Sequence, residues 1–158
     1  MSDKSYEIDR EELEQELEAE DDFEAMEISK LLQLHDLLYK MKMEVMISEY
    51  KEEPILRIWP KVGNEELDCF LRYHTWNLDK GIFLLEAFVL MAPCPEDEME
   101  TLTQCMKYNQ DSLVGTLYPE EGRFYLRMVY RESEIPIDEE EMKEFLNDLV
   151  EEWQYLQL

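Results

Sequence analysis

The chain has 158 residues, 45% of them hydrophobic and 11% aromatic, and a formal net charge of −25. That is one ordinary domain with enough apolar material for a core, which excludes a disordered polymer. The charge disfavours nucleic acid and anionic membrane surfaces as partners, since no basic stripe with interleaved aromatics offsets it; a cationic protein segment is the natural counterpart.

Residues 1–27 hold 13 acidic side chains against two basic ones. Leu13 and Leu17 give only a weak helical spacing there. Three or four apolar residues do not offset the ordering entropy, so this stretch is expected to be an acidic arm, disordered or a frayed helix, ahead of a domain at 28–158. Ile28, Leu31, Leu32, His35, Leu38 and Tyr39 then share one face of an α-helix, with Lys30, Gln33 and Lys40 on the other side.

A block of strands follows. Val45–Tyr50 and Pro54–Pro60 flank a turn at Lys51–Glu53, and Asp68–Trp76 leads through the turn Asn77–Gly81 into Ile82–Met91. The last of these is apolar on both faces apart from Glu86, which predicts a central strand. Three strands and four both fit the block.

Pro95 suits the first position of a second helix, with Glu96, Asp97 and Glu98 in its first turn. Met99, Leu102, Cys105 and Met106 form its apolar stripe, and Asn109 is a plausible stop. Ser112–Tyr118, the turn Pro119–Gly122 and Arg123–Arg131 make a hairpin. Phe124, Leu126, Met128 and Tyr130 lie on one face of its second strand. Arg123, Tyr125, Arg127, Val129 and Arg131 lie on the other, which is either wet or paired with acidic helices. Asp138 and Glu141 form a capping box for a final helix whose stripe is Met142, Phe145, Leu146, Leu149, Val150 and Trp153. The order α-β(3–4)-α-β-β-α specifies an α+β fold with an antiparallel twisted sheet packed by helices.

The run Tyr108–Arg131, with its Asn before the penultimate strand and its acidic-Gly turn, resembles the YbjN family of bacterial sensory-transduction regulators. The acidic amphipathic stretch Ile137–Tyr155 extends the likeness, which is weaker over Ile28–Met91 and does not reach the arm. The resemblance implies a fold similar to the type III secretion chaperones, with helices on one face of the sheet. Those are small acidic proteins, usually dimeric, that hold partner polypeptides without turning them over. The family supplies no site motif, so no functional residue is carried over.

Chemistry is sparse in the residues themselves. His35 falls on an apolar stripe and His74 alternates within a strand. The chain has no G-x-S-x-G, Walker loop or dinucleotide fingerprint, and only four glycines. The acidic clusters Glu96–Glu100 and Asp138–Glu141 lack the alternation and glycine of a calcium loop, so no metal and no cofactor is expected. Cys69, Cys94 and Cys105 leave at least one thiol unpaired. With no visible secretory signal and no run of the ~20 apolar residues that cross a bilayer, a cytoplasmic location is expected.

The expectation is therefore a non-enzymatic protein-binding, chaperone-like or regulatory module of the bacterial cytoplasm, whose partner is a protein or a second copy in a homodimer. Trp59, Tyr73 and Trp76 are its candidate partner-binding residues, because aromatics in a strand block are costly to leave in water unused. Two alternatives stand: a small hydrolase built from His35 or His74 with a cysteine, and an acidic decoy that imitates nucleic acid.

Overall fold

The computed structural model describes residues 9–19 and 22–156. The elements run α1 (Arg10–Ala19), α2 (Asp22–Lys40), β1 (Val45–Tyr50), β2 (Glu53–Ile58), β3 (Lys61–Val62), β4 (Glu65–Glu66), β5 (Cys69–Asn77), β6 (Ile82–Pro93), α3 (Glu98–Asp111), β7 (Gly115–Glu120), β8 (Arg123–Glu132) and α4 (Glu139–Leu156). The main sheet has six strands in the order β1-β2-β5-β6-β8-β7, and every neighbouring pair is antiparallel. The first strand block thus gives four strands to the main sheet, while β3 and β4 form a separate two-stranded ribbon.

The expected α+β architecture is present. β6 lies between β5 and β8, and its side chains are buried on both faces, as its unbroken apolar run demands. One face of the sheet presents Leu56, Leu71, Leu85, Val89 and Leu126 to the helices, and residues of all four helices join this core. The capping box forms reciprocally: the Glu141 N–H donates to Asp138 Oδ1 at 2.8 Å, and the Asp138 N–H donates to Glu141 Oε1 at 3.1 Å. Met142, Phe145, Leu146 and Leu149 are buried beneath α4.

The acidic arm differs from its expectation where it is described; residues 1–8 and 20–21 lie outside the described residues. Residues 10–19 form α1, whose Leu13 is fully buried in the main core, and residue 27 lies inside α2, so no boundary falls between 27 and 28. Among the described residues, Leu13 and a set of polar ties fix this stretch to the domain. Arg10 donates to Asp36 Oδ1 at 2.7 Å and to His35 Nδ1 at 3.0 Å, fixing α1 to α2. Glu27 Oε2 accepts from the Thr75 N–H at 2.7 Å and the Thr75 hydroxyl at 2.8 Å, next to a β5 irregularity. With α1 lying on it, α2 buries Leu34, and Tyr39 is 75% exposed rather than part of the stripe.

α3 also differs. It begins at Glu98, with Asp97 as the N-cap accepting from the Met99 N–H at 3.0 Å, so Pro95 precedes the helix. The helix buries Thr101, Cys105 and Tyr108 and turns Met99, Leu102 and Met106 outward. It runs past Asn109 to Asp111. The Asn109 side chain pairs with the β7 backbone, donating to the Leu117 carbonyl at 2.9 Å and accepting from the Leu117 N–H at 2.7 Å.

Among the described residues, no helix covers the other face of the sheet. A flat six-stranded sheet would hold its edge strands about 24 Å apart, five spacings of ~4.8 Å. Yet Tyr50 on β1 and Glu120 on β7 are hydrogen-bonded, so the sheet curls about its helix-free face. Inside the curl, Ile55, Phe70, Phe88 and Tyr125 are buried against one another, with the Phe70 and Phe88 rings stacked at 5.2 Å. Two tight hairpins make this end. Lys51 and Glu52, at φ 51° and 69°, join β1 to β2, and Glu121 with Gly122 joins β7 to β8.

Candidate functional site

The three aromatics expected to bind a partner do not converge. Tyr73 is buried under α2 and donates to Glu132 Oε2 at 2.8 Å, so it is structural and unavailable to a partner. Its neighbour is an internal ion pair, Lys30 with Glu132, in which the Lys30 ammonium also lies 5.6 Å from the Tyr73 ring and 5.4 Å from Phe83. Burial pushes the Lys30 ammonium below its usual range. Trp59 is half-buried beside the Arg57 guanidinium, 5.4 Å from its ring. Trp76 is 66% exposed but sits at the far end of β5. Cys69, at the near end, is opposite Ile58, so roughly 23 Å of strand separates the two tryptophans.

Two other places gather functional side chains. The first is a cleft of about 940 Å³ where α3, the start of β7 and the end of α4 meet. Leu117 and Phe124 lie at its buried side, Pro93, Pro95 and Val114 wall it, and Lys107, Asp111 and Glu152 carry its charge. Leu113 is 99% exposed and Tyr155 78% exposed at its lining. Tyr108 braces the base: its hydroxyl donates to Glu152 Oε2, and burial followed by that carboxylate pushes the phenol up to about 12. Gly115 is needed there, because a Cβ on it would come within 2.6 Å of the Tyr108 hydroxyl oxygen.

The second place is a pocket of about 420 Å³ on the helix-free face, lined in part by Tyr50, Arg72, His74, Glu86, Tyr118 and Arg127. Strand register builds it, because Arg72 stands opposite Glu86, and Thr116 opposite Arg127. Glu86, nearly fully buried, accepts from Arg72 Nε on one oxygen and from Arg127 Nε on the other. His74 Nε2 lies 3.1 Å from the first of those oxygens. Burial works to raise the Glu86 carboxyl, but hydrogen bonds from His74 and Arg72 and the charges of Arg72 and Arg127 together hold it down at about 2. The Arg-bearing face of β8, left open as wet or helix-paired, thus pairs with a carboxylate of the next strand. Sequence reasoning had noted Glu86 only as an interruption in β6, although an isolated acid in a two-faced apolar strand is a signal for a buried ion cluster.

Among the described residues, neither His35 nor His74 makes a hydrogen bond to a cysteine. His35 accepts from Arg10, and burial, then the Arg10 charge, lower its pKa. Cys69 is buried, which raises its thiol well above the usual range, and Cys105 is raised for the same reason. All three cysteines are free. Among the described residues, no helix is long and apolar enough to cross a membrane, and no group of three or more His, Cys, Asp or Glu is placed to hold a metal ion.

No family model matches the chain, and no curated protein matches it. Among solved structures it is similar to the crystal structure of E. coli YbjN, described as a putative transcription regulator, at 16% identity over 81% of this chain and 88% of that chain, with a TM-score of 0.49. YbjN is also the family that Tyr108–Arg131 resembles. The α+β architecture stands on this chain's own strand order.

Proposed function

We propose that the chain is a protein-binding module that holds an apolar segment of a basic partner in the cleft between α3 and α4, without turning it over. The carrying observation is the cleft itself: a hollow of about 940 Å³ with Leu113 and Tyr155 on its lining, both largely in water. Large apolar side chains lining a concave surface are the usual anchors of a recognition site. The seven acidic residues of α4, against Lys143 alone, favour a cationic occupant and speed its encounter.

What supports binding over turnover is the state of two of the three candidate nucleophiles, since burial raises the Cys69 and Cys105 thiols and disfavours their thiolates. Three free cysteines agree with a reducing compartment, which fits the bacterial cytoplasm. The outward stripe of Met99, Leu102 and Met106 suits a second copy as well as a foreign chain, and sedimentation across concentration separates the two.

The test titrates a short amphipathic Leu/Lys peptide into the protein at low and high salt, with a Ser/Lys peptide of equal charge as control. The Leu/Lys peptide binds and keeps part of its affinity at high salt, and Leu113→Asp or Tyr155→Ser weakens it at least ~10-fold. Equal binding of both peptides, lost together in salt, rejects the cleft and revives the decoy reading.

A further inference from the structure

We propose that the pocket on the helix-free face binds a small planar carboxylate between Arg72 and Arg127, a site distinct from the α3–α4 cleft. Each guanidinium is held through Nε by the same buried carboxylate, Glu86. Among the described residues neither arginine has an acceptor on its terminal Nη groups. Glu86 therefore orients two donor edges and leaves them unused. Arg72 is further fixed by aromatic faces, with its guanidinium carbon 5.2 Å from the Phe88 ring and 6.0 Å from the Tyr50 ring.

Charge selects the ligand. Arg72 and Arg127 against Glu86 leave one net positive charge, and the nearby Lys51–Glu120 pair, at 2.8 Å, balances itself. One uncompensated charge suits a monoanion; a phosphate group carries nearer −2. The planar forks match a carboxylate, and Tyr50 and Tyr118 offer flat walls for an aromatic body. The pocket's volume of about 420 Å³ is within the range of small-molecule sites, ~300–1,000 Å³. The chain's net charge of −25 repels anions at long range, but that field is screened within ~8 Å at physiological salt, so the local arginines decide. Only 15 Lys and Arg serve the whole chain, and two of them converge on this one carboxylate.

The test follows the full chain by NMR as sodium benzoate is added at constant ionic strength, with acetate and inorganic phosphate as comparisons. Benzoate gives saturable shifts centred on β7 and β8, acetate binds more weakly, and phosphate does not displace benzoate. Arg127→Gln lowers the affinity about 10–100-fold, the worth of a charge-assisted pair. Thr116 is exposed, lines the pocket opposite Arg127 and makes no hydrogen bond to its ion pairs, so Thr116→Trp fills the entrance while the melting temperature holds. It decides the matter if Arg127→Gln fails to fold. Absence of saturable shifts, equal benzoate affinity in Thr116→Trp, or tighter binding of phosphate overturns the proposal.

Discussion

The Tyr50 hydroxyl donates to Glu120 Oε2 at 3.0 Å although the two residues stand on opposite edge strands of a six-stranded sheet. Lys51 adds a second tie, Nζ to Glu120 Oε1 at 2.8 Å, and its hydrogen bond is the main reason the Glu120 carboxyl lies below its usual range. The curl that buries Phe88 and encloses the pocket is closed by this contact between positions 70 residues apart.

Removing that tie should loosen the curl without unfolding the chain. Tyr50→Phe and Glu120→Gln should each cost about 1 kcal/mol, and the double variant should cost less than their sum. Urea denaturation reads all three. Strict additivity would show that the two side chains do not meet in solution.

Glu86 sets an acid limit on stability. Its folded pKa of about 2 is below the ordinary 4.5, so its contribution is complete above pH ~4.5 and is lost as pH falls through 2. Denaturation curves of the native chain should weaken across that window. Glu86→Gln should lose about 3 kcal/mol at neutral pH, since two arginines are left short of their carboxylate, and should show a shallower acid limb. An unchanged limb in the variant would assign the acid sensitivity to other carboxylates.

Leu13→Ala should destabilise by about 2–5 kcal/mol, the cost of a cavity under a fully buried leucine. A loss below ~0.5 kcal/mol would return α1 to the status of a surface arm.

That helix shows where the sequence was legible and where it was not. The capping box at Asp138, the hairpin at Gly122 and the centrality of β6 are local signals, written within a few residues, and each is found in the fold. The docking of α1 is carried by Leu13 and by Arg10 reaching Asp36, contacts that composition does not reveal. In α3 the spacing grouped Cys105 with Met99, Leu102 and Met106, whereas Cys105 is buried with Thr101 and Tyr108 and the other three face outward. The buried face won through a partner elsewhere, the Tyr108 hydroxyl bonding Glu152 of α4. The ion cluster at Glu86 needs three strands in register, so its members looked unrelated along the chain.

Asn109→Ala should cost about 1–3 kcal/mol, because both its amide groups are engaged by Leu117 and the edge backbone is left unsatisfied. Hydrogen exchange at the Leu117 amide should accelerate before the rest of the sheet. Unchanged protection there would mean another group covers the edge.

The same side chain decides what kind of surface β7 can be. An edge strand normally offers its free N–H and C=O groups as a template for another extended chain. At Leu117 both groups are already taken by one amide, which acts as a stub of a seventh strand. A partner that arrives near this edge meets a finished ladder, and must be recognised by its side chains instead of being zipped on through its backbone.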